Sequence, residues 1–333
     1  MCDEAMKPVE ILRESSRNLL VLNRRKHRDD EADLRRSIKR ELRVTLEVVQ
    51  AIANKLKTKS SIGVSELQTL KNALIDDEAY IEVVLNTHGA LRGLVRELTG
   101  HEVNKQVAAA ACCCNLALGD GRAAVTIVKA AGTYLVTALD NLTTELAVTS
   151  AWTLGNLASA NPTACELLTA QGAIAKLIEL LESSNEEVRE AALYALVRFA
   201  HQIKDELRTE HLQKLFEIIP RFNVTSTPQF LFILSCHKDF SSNLLSEQYL
   251  HLILQHLAVS IQQSDTENVT YLFRFLANIN TKEVFNIVLS FLLENNMVTA
   301  VKSLSAANDS VLWFLGNVFK LCNDHVFFEM LFR

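Results

Sequence analysis

Apolar side chains recur at helical spacing from about residue 62 to the end of the chain. They fall into segments of roughly 10 to 16 residues that short polar breaks separate, a pattern typical of amphipathic helices. The whole chain has only 10 Gly and 4 Pro among 333 residues, which disfavours a turn-rich β architecture. The pattern therefore predicts an all-α fold.

The helical segments are also self-similar. Starting from the asparagine in Trp152-Thr153-Leu154-Gly155-Asn156, equivalent positions recur at intervals of 43, 41, 42, 38, 42 and 39 residues. We call these seven residues the marker positions: Asn72, Asn115, Asn156, Arg198, Cys236, Asn278 and Asn317. A unit of this length holds two or three helices and buries its apolar face only against its neighbours. The sequence therefore predicts an α-solenoid of about seven repeats over residues 61–333.

Three glycines mark predicted helix starts within these repeats. Gly89, Gly132 and Gly172 each precede an apolar run, and we expect each to open a helix. Asn185 follows a polar break and is expected to cap the next helix. Pro228 and the polar residues between Pro220 and Ser246 predict a distorted fifth unit.

The marker residues themselves suggest a binding surface. Trp152 and Asn156 are four residues apart, so they share one helix face, and Trp313 with Asn317 repeats the arrangement. An Asn amide has donors and an acceptor for the main chain of an extended peptide, while an indole attracts the stem and charge of Lys or Arg. Ordinary packing is the alternative explanation of the tryptophans, but Asn is unfavourable inside a helix without a partner.

Charge divides the chain unevenly. Residues 1–60 contain 15 Lys and Arg against 10 Asp and Glu, a net charge of +5, and the remaining residues carry −10. Between Arg24 and Arg43 nine basic residues stand against five acids, with no aromatic residue to stack on bases. This favours a solvated or protein-binding helix at about residues 24–45, and we expect no nucleic acid as partner.

Other functional classes find little support in the sequence. The longest early apolar run, Leu19 to Leu22, is too short for a signal peptide, and no stretch has the length of a membrane span. Cys112, Cys113 and Cys114 point in different directions on a helix and are expected to be reduced, mostly buried thiols. We expect no catalytic residues, no metal and no cofactor, and hence no enzyme, in a soluble protein of the cytoplasm and nucleus.

Several motifs resemble a known family. Gly172-Ala173-Ile174 followed by Asn185 to Ala192 resembles an armadillo repeat, and the Trp-x-x-x-Asn pairs resemble the peptide-binding ladder of importin-alpha. Arg24-Arg25-Lys26-His27 and Asp33-Leu34-Arg35-Arg36-Ser37 resemble the importin-beta-binding segment of the same family. Within it the chain is most similar to a divergent group, the transmembrane and coiled-coil domain-containing protein 6 group. The resemblance implies a right-handed armadillo-repeat superhelical solenoid after a basic N-terminal helical segment spanning residues 1–60.

The resemblance also implies functional residues. For basic peptide cargo they are Trp152, Asn156, Asn115, Asn72, Asp120, Trp313, Asn317, Asn278 and Arg274. For an importin-beta-type receptor they are Arg24, Arg25, Lys26, Arg28, Leu34, Arg35, Arg36, Lys39 and Arg40.

The chain departs from the family at several of these positions. Gln68 and Ala111 stand where the first two repeats of the family have Trp. Ala160 replaces the family's lysine-binding Asp, and Asp120 is the nearby acid expected to substitute for it. The middle repeats, with Tyr194 and Arg198 and then Phe232 and Cys236, interrupt the ladder.

The expected function is that of a nuclear-import adaptor, which holds a nuclear localisation signal in a concave Trp/Asn groove and importin-beta on its basic helix. The alternative is an armadillo scaffold that binds other protein segments without a role in transport. The apolar run Phe327 to Phe332 is unusual for a terminal repeat, so we expect it to be covered by further chain or by a partner.

Overall fold

The structure is a computed structural model that describes residues 44–58, 60–222, 226–241, 244–279, 281–322 and 325–332. Within these ranges every regular element is a helix, and no strand is present. The all-α prediction is therefore confirmed. The predicted basic helix at about residues 24–45, with all nine residues expected to bind importin-beta, lies outside the described residues apart from residues 44 and 45.

The described residues form two compact units, one within Met1–Gln171 and one within Gly172–Arg333. In the first unit the described helices are α1 (Leu46–Thr58), α2 (Val64–Asp76), α3 (Glu78–Asn86), α4 (Ala90–Leu98), α5 (Val103–Leu116), α6 (Gly121–Ala138), α7 (Thr144–Ala160) and α8 (Pro162–Ala170).

In the second unit they are α9 (Ala173–Leu180), α10 (Glu186–Ile203), α11 (Thr209–Ile218), α12 (Ser226–Ser235), α13 (Glu247–Gln262), α14 (Thr266–Asn278), α15 (Lys282–Glu294), α16 (Val298–Ser305), α17 (Asp309–Leu321) and α18 (His325–Phe332). Short 3₁₀ helices follow α10 and α11, at Lys204–Glu206 and Ile219–Arg221.

The repeat consists of short helices followed by a longer one that carries the marker position. In the first unit α3 and α4 precede α5, and in the second α15 and α16 precede α17. The marker helices stack on one another, α2 on α5 on α7 in the first unit and α10 on α12 on α14 on α17 in the second. Their apolar faces are buried between neighbours, which is why the sequence repeats about every 41 residues.

Two of the three glycines expected to open helices do so. Gly89 and Gly172 adopt the left-handed conformation, with φ of 94° and 88°, directly before α4 and α9. Asn185 also fulfils its predicted role, since its Oδ1 accepts a hydrogen bond from the Val188 amide at 3.3 Å near the start of α10.

The prediction for Gly132 is wrong. Gly132 lies buried inside α6, where two shorter helices of the repeat are fused into a single helix of 18 residues. A Cβ at this position would lie 2.5 Å from Gln171 Oε1 and 3.2 Å from Leu168 Cδ2. The glycine is therefore needed for the close approach of α8 to α6 and not for a turn.

The distorted fifth unit is confirmed. After the 3₁₀ helix Ile219–Arg221, α12 has only 10 residues, and no α-helix is present again before Glu247 in the described part of this segment. Three aromatic rings fill the space: Phe240 lies 5.3 Å from Phe216 and 6.2 Å from Phe275, between ring centroids. His237 Nδ1 accepts from the Asp239 amide, so its Nε2–H donates to the buried Leu207 carbonyl at 3.1 Å.

The predicted boundary at residue 60 stays a prediction, but the helix before it belongs to a packed core. α1 contacts α3 and α4, and Val49, Ile52 and Leu56 on its inner face are buried.

Among the described residues, no single helix has the length and apolar character to cross a membrane. The bent pair α15 and α16, at 106°, meets that criterion only when its two helices are counted together.

The closest approach of α1 and α4 gives a stability prediction. A Cβ on Gly93 would overlap the Leu56 main-chain carbonyl, so one helix must move to admit it. We expect Gly93→Ala to lower the free energy of unfolding by about 1–3 kcal/mol in urea denaturation followed by circular dichroism.

Gly316→Ala is the matched control, because a Cβ there meets nothing within 4 Å on α17. The control should raise stability by about 0.5–1 kcal/mol through helix propensity. Equal effects of the two substitutions would contradict the close helix contact at Gly93.

Candidate functional site

Trp152 is one of only two exposed residues of α7, the other being Glu145. Ten of the 17 residues of α7 are buried, including Thr153, directly after Trp152, and Gly155, directly before Asn156. The Trp152 side chain is nevertheless 36% exposed. A helix that buries most of its other residues and leaves its largest side chain at the surface has a position suited to contact with a ligand.

The marker asparagines of the first unit tie neighbouring marker helices together. Asn115 Nδ2 donates to the Lys71 carbonyl oxygen at 2.7 Å, and Asn156 Nδ2 donates to Cys114 Sγ at 3.3 Å. Lys71 and Cys114 each directly precede the marker position of the helix before. Asn156 is only 8% exposed, so its amide lies mostly beneath the surface beside Trp152.

The second unit follows the same rule. Asn278 Nδ2 donates to Ser235 Oγ at 2.8 Å and lies 3.4 Å from Cys236 Sγ. Asn317 Nδ2 donates to the Ala277 carbonyl oxygen at 2.8 Å. In all four cases the acceptor belongs to the residue before the preceding marker position or, for the second bond of Asn278, to the marker residue itself.

These bonds supply a second reason for an asparagine at four of the seven marker positions. A carboxamide has two N–H donors and an oxygen with two lone pairs. Asn115 and Asn317 each use one N–H for the neighbouring helix in the described structure. The second N–H and the carbonyl oxygen keep their capacity to bind the main chain of a ligand, so the predicted binding role and the stacking role are compatible.

Asn72 and the positions without Trp differ from this arrangement. Asn72 and Gln68 are both exposed on α2, whereas Ala111 is half-buried on α5. Buried side chains also link α5 to α2 and to α7. Cys112 Sγ on α5 donates to the Leu67 carbonyl oxygen on α2 at 3.3 Å, and Thr153 Oγ1 on α7 lies 3.4 Å from the Ala110 carbonyl oxygen on α5. The stacked helices α2, α5 and α7 therefore carry, in order, Asn72, Asn115 and the pair Trp152 and Asn156. We call the surface formed by these four residues the first-unit marker face.

Asp120 lies beside the position of the acid that is absent at Ala160. Its Oδ1 caps α6 by accepting from the Ala123 amide at 2.7 Å, and its Oδ2 is 3.6 Å from Arg122 Nε at an exposed site. A Cβ on the next residue, Gly121, would lie 3.5 Å from the Ala160 carbonyl oxygen. The carboxylate of Asp120 and the C-terminal end of α7 together make this corner attractive to a cation.

In the second unit Trp313 and its neighbours are at the surface. Trp313 is 42% exposed on α17, Gly316 on the next turn faces open space, and Asn317 is half-buried. Arg274 precedes Asn278 by one turn on α14, and its Nε donates to Ser310 Oγ at 3.1 Å. Its guanidinium also lies 5.7 Å from the Phe232 ring centroid, and burial lowers the pKa of Arg274 from its usual value.

In the sequence, Arg198 stands only as an interruption of the ladder. The structure places it, 6% exposed, on α10 with its guanidinium carbon 4.3 Å from the Tyr194 ring centroid. Its Nε is buried without a hydrogen-bond partner among the described residues. The signal in the sequence was an arginine within the apolar run Ala191 to Ala200, one turn after a tyrosine.

The cysteines behave as structural residues. Cys112 and Cys113 are fully buried, and burial raises the pKa of the Cys113 thiol to about 12. Cys114 is half-buried and accepts the bond from Asn156. Within the described ranges no group of three or more His, Cys, Asp or Glu residues is placed to hold a metal ion.

The similarity to known proteins concerns the fold. A family model described as HEAT-like repeat matches residues 145–199. No curated protein is similar enough to this chain to count as a match. The crystal structure of an engineered protein is similar with a TM-score of 0.63 and 22% identity, over 81% of this chain and 68% of that one.

Two designed armadillo repeat proteins are also similar, one of them in complex with the peptide (KR)4. Both are 21% identical, with TM-scores of 0.47 and 0.45, and they cover 81% and 82% of this chain and 99% and 98% of their own. Likeness at these identities shows the fold alone, and the two lower scores add nothing to it. The predicted class, an all-helical repeat solenoid, is confirmed by the stacked helices and the first similarity.

The asparagine bonds give a second prediction. Asn115→Asp places a carboxylate oxygen against the Lys71 carbonyl, where the native amide donates at 2.7 Å. Losing this bond and opposing two acceptors should reduce the free energy of unfolding by about 1–3 kcal/mol in urea denaturation.

Asn72→Asp is the control, since Asn72 is the exposed marker residue of α2. This change should stay within about 0.5 kcal/mol of the native stability. A loss for Asn115→Asp no larger than that of the control would show that the interhelical bond contributes nothing.

Proposed function

We propose that the first-unit marker face binds an extended, lysine- or arginine-rich segment of another protein. The observation that carries the proposal is the exposed indole of Trp152 beside two asparagines in register on stacked helices. The repeat scaffold positions these groups, and repeat-scaffold folds of this kind are typically non-enzymatic.

The spacing of the marker helices suits a peptide main chain. Packed helices lie about 8–10 Å apart, and an extended chain rises about 3.3 Å per residue. A marker residue therefore meets the ligand about every third residue. Asn115 has an N–H and a carbonyl oxygen for that contact, so it can hold the main chain whatever the ligand's side chains are.

The electrostatics favour a basic ligand. Beyond residue 60 the chain carries a net charge of −10. An exposed indole attracts a Lys or Arg cation by about 0.5–2 kcal/mol, depending on its exposure. Asp120, exposed at the corner near Ala160, provides the carboxylate for one ligand cation.

At a finer level, we propose that the ligand is a nuclear localisation signal and that the protein acts as an importin-alpha-like import adaptor in the cytoplasm and nucleus. The resemblance of the Trp/Asn pairs supports the first half. The basic segment with Arg24, Arg25, Lys26, Arg35 and Arg36 supports binding of an importin-beta-type receptor through the same resemblance.

A scaffold without a transport role is the second candidate. It is favoured by the departures from the family ladder, since Ala160 lacks a carboxylate and Gln68 and Ala111 lack the indole. Such a scaffold would use the same face for a different protein segment, so the two candidates differ in the receptor and not in the face.

The proposal predicts the effect of removing the indole. Trp152→Ala should weaken binding of a fluorescent lysine-rich peptide about ten-fold or more, because a central aromatic anchor and its cation–π contact are lost. Fluorescence anisotropy measures the Kd.

Tyr134→Ala is the matched control, since Tyr134 is an exposed aromatic residue on α6, which carries no marker position. Its removal should leave the Kd unchanged. Equal losses for Trp152→Ala and Tyr134→Ala, or no binding by the native chain, would refute the proposed face.

The import role makes a separate prediction. Replacing Arg35 and Arg36 together by Ala should abolish capture of an importin-beta-type receptor by the full chain in a pull-down, because two cations of the basic segment are lost. Replacing the exposed Lys57 and Lys129 is the control with the same loss of charge. Absent or unchanged capture would leave the scaffold without a transport role as the remaining candidate.

A further inference from the structure

Two arginines on the marker helices of the second unit lack a carboxylate partner. Arg198 on α10 and Arg274 on α14 have no ion pair within the described part of the chain. This is unexpected in a chain with 39 Asp and Glu residues. Buried charges in proteins are normally paired, because an unpaired charge loses its hydration without compensation.

The Arg198 guanidinium is held in a fixed orientation. The Tyr194 ring lies 4.3 Å from its central carbon, and Nε is buried without a partner. The whole residue is only 6% exposed, so little of its side chain reaches solvent. A planar guanidinium that stacks on one face keeps its two terminal N–H groups in the plane of the group, a geometry that suits bidentate contact with a carboxylate or phosphate.

Arg274 repeats the arrangement two marker helices further along. Its guanidinium lies over the Phe232 ring of α12, and its Nε–H donates a hydrogen bond to Ser310 Oγ. Phe232 in turn lies 6.1 Å from the Tyr271 ring. Because α10 packs on α12 and α12 on α14, the two guanidinium groups follow the same line of stacked helices.

We call the surface of α10, α12 and α14 around these two arginines the second-unit face. We propose that this face binds an extended peptide through the anionic side chains of the peptide, with Arg198 and Arg274 as the two recognition points. Two helix spacings separate the arginines, so the anionic residues of the ligand stand about six positions apart in an extended chain. This preference is opposite to that of the first-unit marker face. The proposal rests on the proposed function only in taking an extended peptide as the ligand.

The test uses the full chain and defined probes. A fluorescein-labelled Ser/Gly peptide with two glutamates about six positions apart should bind, and its version with glutamine at both positions should bind about ten-fold more weakly. A third peptide with phosphoserine in place of each glutamate tells whether carboxylate or phosphate is preferred. Equal affinity of the glutamate, phosphoserine and glutamine peptides would overturn the proposal even if no variant were made.

Arg198→Met and Arg274→Met should each weaken binding of the preferred anionic peptide about ten-fold, since each keeps the side-chain volume and removes one charge. The matched control is Arg221→Met, because Arg221 also lies over a tyrosine, 5.5 Å from the Tyr249 ring, but belongs to the 3₁₀ helix Ile219–Arg221 and not to a marker helix. A loss at Arg221 as large as that at Arg198 would show only a general charge effect and overturn the site.

Two further measurements distinguish this proposal from a structural ion pair at Arg198 and from the basic-peptide binding proposed for the first-unit marker face. Arg198→Met should not lower the thermal midpoint, because no carboxylate partner is left behind, and a clear decrease would contradict the unpaired state. Trp152→Ala should weaken the lysine-rich peptide and leave the anionic peptide unaffected. Failure of the basic peptide alone would therefore count against the proposed function, and failure of the anionic peptide alone against this inference.

Discussion

A unit of this chain cannot bury its long helix alone, and the face left open is covered only by the next long helix. The stacks α2–α5–α7 and α10–α12–α14–α17 satisfy this constraint within the two units. Four of the five marker asparagines, all except Asn72, reinforce it, because each donates to the residue just before the preceding marker position. The same stacking repeats polar groups along one line, so the requirement for a shared core also produces a surface with a spacing suited to peptide main chain.

The two units use that line differently. The first has an exposed indole at Trp152 and an exposed carboxylate at Asp120, whereas in the second Arg198 and Arg274 have no carboxylate partner among the described residues. The main-chain contacts from asparagine are indifferent to ligand charge. In the binding that we propose, selectivity for ligand charge comes from the residue one turn before the marker position, which is Trp152 in α7 and Arg274 in α14.

The helices and their period could be predicted from the sequence because both depend on local spacing. The outcome at Gly132 could not, since its flanking residues resemble those of Gly89 and Gly172 and its role depends on contact with α8. The partners of Asn115 and Asn156 lie 44 and 42 residues away, so only the stacked structure reveals them. Arg198 looked like an interruption for the same reason: its stacking on Tyr194 and its lack of a partner depend on packing.

We propose that asparagines on stacked helices hold the main chain of an extended basic peptide. Lysine-rich peptides, each N-methylated at one backbone position, are the sharpest probes of this contact, because methylation removes one main-chain N–H and keeps every side-chain charge. We expect affinity to fall about ten-fold at positions recurring about every third residue and the intervening positions to tolerate the change. Affinities that follow only the number of lysines, with no position sensitive to methylation, would contradict it.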